Sequence, residues 1–95
     1  MNKYNINQTT LKILSLYRNN YNASLHLRGI ARQTNVDVKA IQLQLKKLEN
    51  TNIIQGTTKG RNKEYTLNLN NYTTKYYMTL AETYTTINYL TKNYE

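Results

Sequence analysis

Apolar residues recur at the spacing of a helix near the start of the chain. In the stretch TTLKILSLYRNNY they return every three or four positions, which predicts a first helix over about residues 9–20. One face of this helix carries Leu11, Leu14, Tyr17 and Tyr21. A short polar side chain at Asn7 or Thr9 is expected to cap the first turn, where backbone N–H groups lack partners.

The next stretch, ASLHLRGIARQTNVDVKAIQLQLKKLEN, predicts a brief strand at residues 24–26 and then two helices. We expect the second helix over about residues 27–34 and the third over about residues 37–50. The inward face of the third helix carries Ile41, Leu45 and Leu48. Asn35 readily adopts the left-handed conformation that ends helices, and Asp37 is a good N-cap. The tetrapeptide TNVD therefore ends one helix and begins the next.

The second half of the chain begins with a hairpin pattern. Extended runs at residues 53–58 and 64–68 flank a basic tip with Gly60 at the turn. Residues 73–93 then predict a last helix. One side of that helix carries Tyr76, Leu80, Tyr84, Ile87 and Tyr94. We predict a single, mostly helical α+β domain over residues 1–95.

The net charge of the chain indicates which kinds of partner it can bind. Thirteen Lys and Arg residues against five Asp and Glu residues give a formal net charge of +8. Residues 28–64 alone hold eight cations and three acids, and residues 65–95 are balanced. A concentrated basic region favours a polyanion, either nucleic acid or an acidic membrane surface. Simple solvation is the alternative reason for the charge.

Residue content also excludes several chemistries. The chain has no cysteine, which excludes disulfides and thiolate metal sites and is typical of a cytoplasmic protein. No apolar run approaches the roughly 20 residues of a membrane span. His26 is the single histidine, without an acid or nucleophile near it in sequence, and its structural role is favoured. The three glycines form no nucleotide-binding motif. From these observations together we expect no enzyme, no metal and no cofactor.

The outward face of the third helix is polar and basic at about 100° per residue. It carries Lys39, Gln42, Leu43, Lys46 and Lys47, with Ala40 at its margin. Two short helices joined by a tight turn can place such a face in the major groove of DNA. Lysine pairs with phosphates or guanine, glutamine can bind adenine through two hydrogen bonds, and apolar side chains contact thymine methyl groups. An ordinary solvated helix, or a protein partner held by Leu43, remains open.

A cluster of cations follows this helix directly. The segment TTKGRNK holds Lys59, Arg61 and Lys63 within one turn. A basic two-stranded hairpin can reach an adjacent groove or the phosphate backbone of DNA. Hairpin tips are also basic for solubility alone.

The order of these motifs resembles that of a known family. LHLRGIARQTNVDVKAIQLQLKKLENTNIIQ followed by KGRNKEYTLN is similar to the winged helix-turn-helix regulators of bacteria and archaea, of the ArsR- and MarR-like kind. The resemblance covers residues 25–68. It implies a helix-turn-helix at about residues 27–50 and a β-hairpin wing at about 53–68. Together with the first helix, which completes a three-helix core, and a C-terminal dimerisation helix at about 73–93, this predicts a winged helix-turn-helix fold.

The resemblance also implies roles for individual residues. It implies that DNA is read by Lys39, Ala40, Gln42, Leu43, Gln44, Lys46 and Lys47, with Lys59, Arg61 and Lys63 in the wing. Three positions depart from the usual pattern. Gly29 replaces a frequent acid, Val38 replaces a proline or serine, and Asn52 replaces the glycine that turns the chain after the recognition helix. Asparagine tolerates that turn.

The apolar side of the last helix is too extensive to lie bare on a soluble monomer. It covers the first helix or pairs with a second subunit, and we expect a homodimer whose two reading helices lie about 34 Å apart. The expected function is sequence-specific binding of double-stranded DNA by a transcriptional regulator, a repressor that occludes a promoter. The alternative is a winged-helix protein-interaction module or an antitoxin-like partner of another protein. RNA binding is a third reading.

Overall fold

The computed structural model describes the backbone of residues 6–94 and the side chains of residues 6–91. Its elements, in chain order, are α1 Gln8–Ser15, β1 Leu25–His26, α2 Leu27–Thr34, α3 Val38–Asn50, β2 Ile54–Lys59, β3 Asn62–Leu67 and α4 Tyr72–Tyr94. The strands in this part of the chain form one antiparallel sheet in the order β1-β3-β2. The predicted fold class, α+β and mostly helical, is confirmed.

Short polar side chains set the ends of the helices, as the sequence predicts. The Asn7 side chain caps α1 by accepting a hydrogen bond from the Thr10 backbone N–H at 2.9 Å. The Asp37 side chain caps α3 by accepting from the Lys39 backbone N–H at 3.0 Å. Asn35 ends α2 with a φ of 56°, and Asn52 turns the chain after α3 with a φ of 62°. Both asparagines therefore adopt the left-handed conformation that we expected of them.

The first helix is shorter than its apolar pattern predicted. It ends at Ser15, and residues 16–19 form turns. In these turns Tyr17 N–H donates to the carbonyl of Leu14 at 3.0 Å, an i→i+3 bond that keeps nearly helical spacing. Tyr17 is therefore buried although it lies beyond the helix. Ile13, which the predicted face did not include, is buried as well.

The core lies between α1, the α2–α3 pair, the first half of α4 and the inner face of the sheet. It contains Ile13, Leu14, Tyr17, Ile30, Ala31, Ile41, Leu45, Leu48, Ile53, Ile54, Tyr65, Leu67, Tyr77, Met78 and Ala81. Because α3 packs on this core through one face only, its opposite face points away from the protein.

A buried hydrogen bond joins the helical layer to the sheet. The Tyr17 hydroxyl donates to the backbone carbonyl of Tyr65 at 2.8 Å, and burial raises the pKa of Tyr17. We expect Tyr17→Phe to lower the free energy of unfolding by about 1 to 2 kcal/mol, because the buried carbonyl loses a donor while the ring still packs. Urea denaturation followed by circular dichroism measures the change.

The matched control is Tyr72→Phe, because Tyr72 is 87% exposed. This control should retain the stability of the parent. A Tyr17→Phe variant as stable as the parent would contradict a stabilising role for the bond.

Candidate nucleic-acid interface

The outward face of α3 is cationic. Its exposed side chains are Lys39, Gln42, Leu43, Lys46 and Lys47, which we call the basic face. Ala40 lies half-buried at its margin. Leu43 is 54% exposed at the centre of this face, between the lysines. The structure therefore brings these predicted side chains together on one surface that is free of core contacts.

Gln44 does not lie on the basic face. Its side chain is only 9% exposed, and its Oε1 lies 3.2 Å from the hydroxyl of Thr10 on α1. The prediction that Gln44 contacts DNA is therefore wrong. Position 44 comes three residues after Ile41 and one before Leu45, which places it on the inner side of the helix. A buried amide needs a polar partner, and Thr10 supplies one.

The hairpin of β2 and β3 presents its cations in different ways. Gly60 turns the tip with a φ of 62°, as the sequence predicts. Arg61 is exposed at this tip and has no acid within ion-pair distance among residues 6–91. Lys59 Nζ lies 3.5 Å from Glu64 Oε1, whereas Lys63 Nζ lies 3.1 Å from Glu49 Oε2 on α3. Among the wing cations, Arg61 is the one most available to an external anion.

A small polar cluster joins β1 to the middle of β3. Strand pairing sets His26 opposite Glu64, and their side chains approach to 4.0 Å. The Ser24 hydroxyl donates to Glu64 Oε1 at 2.6 Å. This bond, together with the charge of Lys59, holds the pKa of Glu64 below its usual range. His26, on the edge strand β1, thus lies beside the carboxylate of Glu64 on the central strand β3.

Two cations that the sequence analysis did not assign lie on α2. Arg28 and Arg32 are both exposed and are four residues apart, which places them on one side of the helix. In a helix-turn-helix, the first helix crosses the DNA backbone. Their four-residue spacing was the available signal, but they entered the sequence prediction only through the net charge.

The two sides of α4 have different surroundings. Tyr77, Met78 and Ala81 are buried in the core. The opposite side carries an apolar row that we call the outer stripe, formed by Tyr76, Leu80, Ile87 and Leu90. All of its members are exposed except Leu80, which is half-buried. Of the predicted apolar side, Tyr76, Leu80 and Ile87 therefore lie on the side of α4 that faces away from the core.

Two residues of the predicted dimer interface do not belong to the outer stripe. Tyr84 lies at the margin of the outer stripe, is half-buried, and accepts a hydrogen bond from Gln8 Nε2 of α1 at 3.0 Å. This contact ties Tyr84 to its own subunit. The side chain of Tyr94 lies outside the described residues. Leu90, which the sequence analysis did not include, extends the stripe instead.

No group of three His, Asp or Glu side chains among residues 6–91 is placed to hold a metal ion. None of the helices described here is long and apolar enough to cross a membrane. The surfaces that stand out are the basic face, the tip of the hairpin and the outer stripe.

Comparisons with known proteins support the fold. No protein-family model matches this chain, and no curated protein matches it in sequence. AF1382 from Archaeoglobus fulgidus is similar over 86% of this chain and 90% of its own, with 19% identity and a TM-score of 0.69. MepR, a transcription regulator of the Staphylococcus aureus multidrug efflux pump MepA, is similar over 98% of this chain and 69% of its own, with 14% identity and a TM-score of 0.67.

A third similar structure comes from Mycobacterium bovis. Mb0332 from Mycobacterium bovis is described as a homodimeric winged helix-turn-helix DNA-binding domain and a possible ArsR-family transcriptional regulator. It is similar over 83% of this chain and 68% of its own, with 16% identity and a TM-score of 0.62. At such identities the likeness shows a common fold, in which β2 and β3 form the wing.

Proposed function

We propose that this chain, which has the winged helix-turn-helix fold, binds double-stranded DNA as a homodimer and represses transcription by occluding a promoter. The observation that carries the proposal is the basic face of α3. Its three lysines surround Leu43 and point away from the core. The major groove of DNA, about 12 Å wide, admits an α-helix. The helix can therefore enter the groove while its buried face stays packed.

Most of the affinity is assigned to phosphate contacts, which position a protein on DNA without reading its sequence. The cations proposed for this role are Arg28, Arg32, Lys39, Lys46, Lys47 and Arg61. They lie on three successive elements, namely α2, α3 and the tip of the wing. Such a spread would fix the orientation of α3 in the groove.

The primary test is the affinity for duplex DNA as a function of salt concentration. Each neutralised phosphate contributes about −0.9 to the slope of log affinity against log salt, so six cations give about −5 per subunit. Weak binding with a slope near zero would count against DNA as the partner.

The base preference is assigned to Gln42 and Leu43, with Ala40 at the edge. We expect Gln42→Ala and Leu43→Ala to change the preferred sequence more than the total affinity, because each good base contact is worth about 1–3 kcal/mol of discrimination. Selection from a pool of randomised duplexes, followed by sequencing, measures the preference. Lys46→Gln is the control and should weaken binding to every sequence alike. An equal loss on every sequence for Gln42→Ala would contradict its role.

The homodimer is supported by the outer stripe of α4. A row of apolar side chains along one side of a long helix favours burial against a second copy. Mb0332, which has the same fold, is described as homodimeric. A two-fold dimer would present its two α3 helices about 34 Å apart, which matches one turn of DNA and a pseudo-palindromic site.

A second candidate function is docking of another protein, as winged helices also serve in assemblies. The exposure of Leu43 favours it, since a leucine at the centre of a polar face suits an apolar partner. In that case the chain would act as an interaction module or an antitoxin-like partner. Weak binding to duplex DNA that does not change when the lysines of α3 are replaced would favour this function.

A further inference from the structure

An ion pair joins the last turn of α3 to the second strand of the wing. Lys63 Nζ lies 3.1 Å from Glu49 Oε2 and donates to Glu49 Oε1 at 3.2 Å, so both carboxylate oxygens contact one ammonium. The same ammonium lies 5.4 Å from the centre of the Tyr65 ring. Lys63 is thus held on the α3 side of the hairpin by a carboxylate and an aromatic ring.

The neighbouring strand leaves space for this pair at Gly56. Gly56 lies opposite Tyr65 in the β2–β3 register. A Cβ atom placed on Gly56 would clash with Lys63 Cε and would lie 2.7 Å from Glu49 Oε2, so both side chains would have to shift. Gly60 is the glycine with positive φ in the described chain, so Gly56 does not serve a left-handed turn. Its missing side chain instead makes room for the ends of Glu49 and Lys63.

We propose that the Glu49–Lys63 pair is a strut that sets the angle between the wing and α3, and that Lys63 is a positioning residue and not a phosphate contact. The wing and the helix must enter DNA together, so this proposal rests on the proposed function for its effect on binding. The ammonium of Lys63 already has a carboxylate partner, and a phosphate would have to displace Glu49. Arg61, which has no acidic partner among the described residues, is the contrasting cation.

The strut is tested first in the free protein. Amide hydrogen exchange across β2 and β3 is measured for Glu49→Gln, Lys63→Gln and the double variant. Each single change should speed exchange of the wing amides about threefold, in line with an ion pair at the surface. The double variant should exchange no faster than either single variant, because the two changes remove the same interaction. Additive effects would overturn the strut.

Gly56→Ala gives an independent test, because it keeps both charges. The added methyl group would displace only the flexible ends of Lys63 and Glu49, so the fold should remain while the pair separates. We expect a similar, about threefold, rise in exchange of the wing amides. Gly29→Ala is the matched control, since its Cβ would meet only Arg32 Nη2, at 4.0 Å. Unchanged exchange in Gly56→Ala would count against the strut.

The DNA arm of the test compares two variants of equal net charge. Arg61→Gln should make the salt slope less steep by about 0.9, as loss of a phosphate contact predicts. Lys63→Gln should lower affinity about threefold and leave the slope unchanged. An equal change of slope in both variants would return Lys63 to the phosphate contacts and overturn its assignment. If the parent shows no salt-dependent binding, the proposed function fails while the exchange measurements still decide on the strut.

Discussion

Replacing Lys39, Lys46 and Lys47 together with glutamine is expected to lower the affinity for duplex DNA by on the order of a hundredfold at about 0.1 M salt. The slope of log affinity against log salt should become less steep by about 2.7, since three phosphates regain their counterions. Fluorescence anisotropy with a labelled duplex measures both quantities. All three side chains are exposed, so the variant should retain the circular dichroism spectrum and melting temperature of the parent.

The control for this experiment is Lys75→Gln. Lys75 is exposed on α4, outside the basic face, and its removal changes net charge without changing the proposed contacts. Its salt slope should equal that of the parent. A triple variant that also retains the parent slope would mean that α3 does not contact DNA, and would favour the protein-docking function.

Ile87→Glu is expected to convert a homodimer into a monomer. Ile87 is 56% exposed in the middle of the outer stripe, and a carboxylate placed there would have to be buried without a partner on dimerisation. Because a monomer holds one α3 helix, binding to a duplex with two half-sites should fall to the affinity for a single half-site. Sedimentation velocity measures the oligomeric state, and anisotropy measures the affinity.

Tyr89→Glu is the matched control for Ile87→Glu. Tyr89 is 66% exposed on the same helix, but two residues further along and hence about 200° around it. This variant should remain dimeric. A parent chain that sediments as a monomer at concentrations of tens of micromolar would contradict the homodimer itself.

The sequence predicted best those features that depend on one residue and its neighbours in the chain. Asn35 and Gly60 have left-handed backbones, and Asp37 caps α3, because each needs only its own conformational preference or a side chain close in sequence. The same holds for the basic face, where a helical repeat separates Ile41 from the lysines. Local chemistry and periodicity were sufficient for the α2–α3 turn and for the direction in which α3 points.

The features that the sequence did not predict depend on partners that lie far away in the chain. Gln44 is polar, yet its position on the helix is an interior one. Its hydrogen-bond partner there is Thr10, which lies 34 residues earlier in the chain. The ion pair between Lys63 and Glu49 was likewise not predicted, because the two residues lie 14 positions apart on different elements. The predicted first helix was too long because Tyr17 continues the apolar pattern of the helix. In the structure Tyr17 is buried from a turn, where its hydroxyl bonds the carbonyl of Tyr65. Each case required the tertiary structure.

The first turns of α1 lie between two surfaces that this helix itself does not form. Thr10 meets Gln44 on the inner side of α3, and Gln8, two residues earlier, donates to Tyr84 at the edge of the outer stripe. In a dimer that forms through that stripe, α1 would connect the subunit interface to the α3 helix of each subunit. The spacing of half-sites that the dimer selects would then change with substitutions in this eight-residue helix.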